Sequence, residues 1–213
     1  KNKFSNVAKV GLGYVGLPLC IRFCESGLKV IGLDVDQEKV EALNRGESYI
    51  KHILASEVQA QLDTGQFEAT TDCARVGELG AVLICVPTPL DADREPDLSY
   101  VLNTGRAIAP HLNKGMVVVL ESTTSPGTTE DELRPILERG SGLKAGKDFH
   151  LAYSPEREDP GNPDSQVAKI PKVIGGYTPA CLEKAKAIYG IAIETLVPVS
   201  SCRVAEATKL TEN

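Results

Sequence analysis

The segment Gly11-Leu-Gly13-Tyr14-Val15-Gly16 constrains this chain more than any other, because of where it falls. It follows an apolar run, Val7 to Leu12, and opens a helix-like stretch, Tyr14 to Ser26, that Gly27 stops. Glycines at this spacing let the chain turn tightly, let backbone approach a pyrophosphate and let the helix pack on the strand. A second apolar run, Leu28 to Asp34, then ends on an acidic residue at the distance, about 20 residues on, where such folds present a carboxylate to the adenosine ribose. Asp34 would accept hydrogen bonds from the ribose hydroxyls and repel a 2′-phosphate, which favours NAD over NADP. FAD uses the same glycine pattern and stays open from the motif alone.

Strand and helix signals keep alternating. Asp36 can cap a helix whose apolar Val40 and Leu43 share a face, closed at Arg45-Gly46. Within the ambiguous 47–65 region, Ser56 to Leu62 reads as helical. Phe67 to Thr71 reads as a strand and Asp72 as the cap of a short helix. Ala81 to Val86 is a fully apolar strand that Pro87-Thr88-Pro89 must end, since proline cannot donate to a ladder. A polar loop, Asp91 to Asp97, leads to a helix from Leu98 to Leu112. Met116 to Glu121 is a buried strand, followed by the Ser122–Gly127 turn and a helix to Arg139. Phe149–Tyr153, Lys172–Gly175 and Glu194–Val199 complete the strands, with a helix over Ala180–Tyr189. Ser200 or Ser201 caps a last helix. This order predicts an α/β fold, a Rossmann-like doubly wound, mostly parallel sheet with helices on both faces.

Aromatic residues make up only 5% of the chain, so Val, Ile, Leu and Ala must build the core, which suits buried parallel strands. The net charge of −6 and the lack of any Lys/Arg-rich run argue against a nucleic-acid partner, while helix N-termini still allow an anionic ligand. No apolar run approaches the ~20 residues that span a bilayer. The six cysteines form no CxxC pair and have no histidine at metal-ligand spacing, so no metal is expected. They read as buried reduced thiols, which points to a cytoplasmic location.

Taken together, GLGYVGLP (11–18), GLDVD (32–36), CVPTPL (85–90), ESTTSPGTT (121–129), SPEREDPGNP (154–163), KVIGG (172–176) and EATKLTEN (206–213) resemble the UDP-glucose/GDP-mannose dehydrogenase family over essentially the whole chain. The runs REPDLSYV (94–101) and IPKVIGGYTP (170–179) look most like its bacterial UDP-N-acetylglucosamine 6-dehydrogenase branch. The resemblance implies oxidation of a UDP-sugar C6 alcohol to a carboxylate with two NAD, through a cysteine-bound thioester. UDP-N-acetylmannosamine, UDP-glucose and GDP-mannose are alternative substrates, and a non-catalytic NAD-binding module is an alternative of another class.

The resemblance assigns cofactor binding to Gly11, Gly13, Tyr14, Val15, Gly16 and Asp34, with Thr88 and Thr123 at the nicotinamide end. It also gives Thr123 a part in ordering a catalytic water, Glu156 a part in thioester hydrolysis, and Lys209 with Asn213 the stabilisation of an oxyanion. Lys209 and Asn213 are i,i+4, so a helix would place a cation and an amide donor on one face, which suits such a charge. Read without the likeness, Lys209 is a solvated helix lysine and Glu156 an exposed carboxylate. Two departures stand out. Where UDP-glucose members carry a second glutamate this chain has Pro160, beside Glu158 and Asp159. None of the six cysteines has the glycine-flanked setting of the family nucleophile. The resemblance therefore implies the cofactor-binding half, a domain over 1–199 with 200–213 opening the helix to a second domain, in a full-length protein that is a homo-oligomer.

Overall fold

The computed structural model describes residues 4–13, 16–47, 55–156 and 169–211. Among these residues, eight strands form one sheet: β1 (Asn6–Val10), β2 (Lys29–Leu33), β3 (Phe67–Thr70), β4 (Ala81–Ile84), β5 (Val117–Leu120), β6 (His150–Tyr153), β7 (Lys172–Gly176) and β8 (Leu196–Val199). The helices are α1 (Gly16–Glu25), α2 (Gln37–Asn44), α3 (Ala55–Asp63), α4 (Ser99–Ile108), α5 (Arg134–Ser141), α6 (Pro179–Tyr189) and α7 (Cys202–Thr211). The strand order is β3-β2-β1-β4-β5-β6-β7-β8. All neighbours are parallel except β6 and β7, where Ala152 faces Gly176 in an antiparallel pair. The expected doubly wound, mostly parallel sheet is present.

Side chains alternate between the two covered faces, as the pleat requires. Val7 of β1 and Val117 and Val119 of β5 enter one core with Cys20 and Cys24 of α1 and Ile188 of α6. Ala8, Val10, Val118 and Leu120 enter the other with Val101 of α4, Leu137 of α5 and Ala205 of α7. Every residue of β4 and β5 is buried, which explains runs of apolar residues in place of an alternating pattern. Each such valine or leucine stabilises the fold by about 1.5–3 kcal/mol relative to an exposed one.

The caps expected from sequence form. The Asp36 side chain accepts from the Glu38 and Lys39 N–H groups, Asp72 accepts from Ala74, and Ser201 Oγ accepts from Val204. Several boundaries differ. The helix from Leu98 stops at Ile108 and tightens into a 3₁₀ turn over Ala109–His111 that accommodates Pro110. The segment after Asp72 is a 3₁₀ turn, Cys73–Glu78. The helix after the Ser122–Gly127 turn begins as a π-helical turn over Thr128–Leu133 before α5. The last strand starts at Leu196, not Glu194. All six cysteines are free, and Cys20, Cys24, Cys181 and Cys202 are buried as expected, whereas Cys73 and Cys85 are only half-buried.

Candidate cofactor-binding and active site

The chain winds outward from β1 to β3, then crosses back to place β4 on the other side of β1, so a crevice opens beyond the carboxyl ends of β1 and β4. The close approach there depends on Gly11. Its φ is +97°, and a Cβ built on it would lie 2.1 Å from the Cys85 carbonyl oxygen. Gly13 differs, because a Cβ there would meet nothing within 4 Å, so its backbone lies open to a ligand. Gly16 begins α1, whose first turn carries no acidic residue. A helix N-terminus attracts a pyrophosphate through its N–H groups and dipole. Tyr14 and Val15 lie outside the described residues.

Gly11, Gly13, Asp34, Thr88, Thr123 and Glu156 all line one cleft of about 930 Å³. At one end, Asp34 Oδ2 accepts from the Leu12 N–H at 2.8 Å and Oδ1 accepts from the Asp36 N–H at 2.9 Å. These bonds tie the glycine loop to the end of β2 and leave each oxygen capacity for a ribose hydroxyl. Val35, 96% exposed, offers apolar surface beside them. The wall includes Tyr100, Asn103, Thr104 and Ala107, which share one face of α4 at i, i+3, i+4 and i+7.

Ser122 joins the two strand-end loops. Its hydroxyl donates to the Val86 carbonyl at 2.8 Å and accepts from the Val86 N–H at 3.0 Å. That pairing sets Thr88 and the exposed Thr123 on the same cleft. Glu156 is placed by the strand it follows. Ser154 Oγ donates to Val173 O at 2.6 Å, and Lys172 Nζ reaches Pro155 O at 3.4 Å.

Glu156 is not the exposed carboxylate that its sequence context alone suggests; its side chain is only 10% exposed. Among the described residues, three buried charges stand around it, none of them singled out as a site residue from sequence: Lys9, Glu121 and Lys172. Lys9 pairs with Glu121 in a short contact. Lys172 lies 2.9 Å from Glu121, and Glu156 is 3.9 Å from Lys9 and 3.7 Å from Lys172. Burial, then the negative charge of Glu121, push the Glu156 carboxyl up to about 7 against the pull of the two lysines. Burial would also raise Glu121, but Lys172 and Lys9 outweigh it and hold that carboxyl well below the usual range. Burial pushes the Cys85 thiol, also on the cleft, up to about 12, so it stands as a neutral thiol. One signal for this cluster was present in the sequence: a lysine inside the otherwise apolar run Val7-Ala-Lys-Val10.

Helix α7 is docked by a further buried acid, Glu206, also unremarked in the sequence. It accepts from the N–H groups of Gly127 and Thr129 and from the hydroxyls of Thr124 and Thr129, at 3.1 to 3.2 Å. The backbone of Lys209 lies in α7, held in this way against the turn that carries Thr123. Asn213 lies outside the described residues. Among the described residues no cluster of metal-ligating side chains occurs, and no helix is long and apolar enough to cross a membrane.

The sequence profile of the UDP-glucose/GDP-mannose dehydrogenase family, NAD binding domain, matches residues 5–193. The chain belongs to this family. The open backbone at Gly13 and the carboxylate of Asp34 fit the dinucleotide, and the cofactor of this family domain is NAD. Among its relatives, UDP-N-acetyl-D-mannosamine dehydrogenase of Escherichia coli (strain K12) is 41% identical over 99% of this chain and 51% of its own length. UDP-N-acetyl-D-glucosamine 6-dehydrogenase of Pseudomonas aeruginosa is 36% identical over 97% of this chain and 48% of its own. The crystal structure of NDP-N-acetyl-D-galactosaminuronic acid dehydrogenase from Methanosarcina mazei Go1 superposes with a TM-score of 0.91 at 35% identity, over 99% of this chain and 47% of that one. The chain thus spans about half the length of the relatives it matches.

Proposed function

We propose that the chain is the cofactor-binding half of an NAD-dependent UDP-N-acetylhexosamine 6-dehydrogenase, with residues 1–199 as the NAD domain and 200–213 leading to a second one. The observation that carries this reading is the position of Glu156, a buried carboxyl poised near neutrality, in the same cleft as the dinucleotide loop. The sequence runs favour the gluco sugar, UDP-N-acetylglucosamine. The higher identity to the mannosamine relative favours its C2 epimer, so the acetamido group is the feature both lines support.

When bound, NAD supplies the hydride acceptor, and conversion of an alcohol to a carboxylate requires two of them in turn. The Gly11–Gly16 loop and the start of α1 hold the pyrophosphate, while Asp34 accepts from the ribose and disfavours a 2′-phosphate. Thr88 and Thr123 border the nicotinamide end. In the last step Glu156 takes a proton from a water, ordered with Thr123, whose oxygen attacks the thioester carbonyl. The C–S bond breaks, the acid leaves as product and Glu156, which near neutral pH can both accept and release a proton, returns it to the departing thiolate. Lys209 and Asn213 offer charge and a donor to the developing oxyanion. The thiol that holds the acyl group is assigned to the part of the full-length protein corresponding to the other half of its relatives. That protein is read as a cytoplasmic homo-oligomer without nucleic-acid or membrane partners.

Rapid mixing of the full-length protein with NAD and each UDP-N-acetylhexosamine tests the assignment. Glu156→Gln should give an NADH burst near two equivalents per site, then a slow steady state with the acyl group on the enzyme. Lys209→Ala should depress the burst itself, by about two to three orders of magnitude in rate. A Glu156→Gln protein with no burst, or with wild-type turnover, would overturn the role of Glu156.

A further inference from the structure

Four ionisable side chains meet on one face of the sheet at its carboxyl edge, and strand geometry explains why. Lys9 is two residues after Val7, which faces the α1/α6 core, so Lys9 faces it too. Its ladder partner Leu83 is paired in turn with Val119, and Glu121 lies two residues beyond Val119. Ala152, beside Val119 in β6, fixes the face of Ser154 and Glu156 in the same way. Lys172 is brought in by the reversal of β7. Because that strand runs antiparallel to β6, its first residue lies at the end where the parallel strands finish.

We propose that Lys9, Glu121 and Lys172 form a buried positioning set that decides, through its charge, whether Glu156 faces the cleft as an acid or as a base. Glu121 is bound between the two ammonium groups, which outweigh its burial and keep it charged. Among the described residues, the two cations and one anion of this set leave a single positive charge facing Glu156, at 3.7 Å and 3.9 Å from the two ammonium groups. Among the described residues, the other ionisable groups near this set are Cys20 on α1, Cys85 after β4, Tyr189 on α6 and, beside Glu121, Tyr153 of β6. Burial raises all four, so they stay neutral and do not alter that balance. The Tyr189 ring lies under Lys172, its centroid 4.7 Å from Nζ, and completes the dry side of the set. Glu121 favours the acid form of Glu156 and the lysines favour the base, so opposite changes to the set must act in opposite directions.

This inference rests on the proposed function only for its effect on rate, because the protonation of Glu156 can be read directly. Infrared titration of the full-length protein reads the carboxylic-acid C=O band, assigned by its loss in Glu156→Gln. Glu121→Gln should move the midpoint of that band, and the rising pH limb of steady-state turnover, to lower pH by about one to three units. Lys9→Met should move both to higher pH. The latter shift concerns the last proton to leave the carboxyl pair, whichever oxygen carries it. Lys172→Arg keeps the charge and should leave the midpoint in place. Midpoints that stay put in both charge-changing variants overturn the inference, as does a shift in Lys172→Arg equal to that in Lys9→Met, which would make packing the cause. If one charge variant fails to fold, the other decides alone. A protein that oxidises no nucleotide sugar but whose band shifts as stated removes the proposed function and leaves the inference standing.

Discussion

Replacing Glu206 with alanine should cost about 3–5 kcal/mol of folding stability, although the residue does not line the dinucleotide cleft. Its side chain is fully buried, and Oε2 alone accepts from the Thr129 N–H and the hydroxyls of Thr124 and Thr129, while Oε1 accepts from the Gly127 N–H. Alanine leaves two buried backbone donors without an acceptor, at about 1–3 kcal/mol each. The two hydroxyls can rotate to other partners and add less. Glutamine separates charge from shape. Its carbonyl can take the three donors now on Oε2, and its amide then opposes only the Gly127 N–H, so Glu206→Gln should lose about 1–2 kcal/mol. Urea unfolding checks both values. With an m-value of about 2–3 kcal/mol/M, the alanine variant should unfold about 1–2.5 M earlier, and α7 should become the first site of proteolytic cleavage. An alanine variant within about 1 kcal/mol of wild type, or a glutamine variant as damaged as alanine, would refute this account of how α7 is held.

Gly11→Ala should disrupt the fold at the meeting of β1 and β4, since the new methyl would sit 2.1 Å from Cys85 O at a φ of +97°. A loss of at least about 2 kcal/mol is expected in thermal melts, with NAD binding weakened in parallel. Asp34→Ala should relax the preference for NAD over NADP, because it removes both an acceptor and the charge that repels a 2′-phosphate; calorimetric titration with both nucleotides measures this, and equal affinities in the wild type would remove the assignment. The pH dependence of stability should carry opposite contributions from the two carboxyls. Glu156 binds its proton more tightly when folded, so its contribution is present below about pH 4.5 and lost as pH rises through about 7. Glu121 is held low by Lys172 and Lys9 against burial, so its contribution is present above about 4.5 and lost on acidification. Denaturation from pH 4 to 8 should show a fall in stability toward pH 7 that Glu156→Gln lacks.

The glycine loop, the acidic end of β2, the alternation of strands with helices and the caps at Asp36, Asp72 and Ser201 were legible because each depends on residues close in sequence. A positive φ admits glycine, a cap needs a short oxygen-bearing side chain one or two residues from its donor, and a strand buried on both faces must be apolar throughout. The strand-end loops bearing Thr88 and Thr123 were legible for the same reason, since proline and glycine mark where a ladder ends.

What the sequence alone did not determine was which distant residues would face one another. The α4 face that lines the cleft reads locally as any amphipathic helix, and only the crossover from β3 to β4 sets it over the site. Lys9 and Glu121 are 112 positions apart, and they meet because β1, β4 and β5 are neighbours in register. Lys172 joins them through one reversed strand that no periodicity reports, since the same alternation of side chains describes parallel and antiparallel neighbours alike. Whether Glu156 is a solvated carboxylate or a buried one near neutrality was therefore decided by tertiary structure. Proton affinity depends on burial and on charges within a few ångströms, and strand order sets those distances.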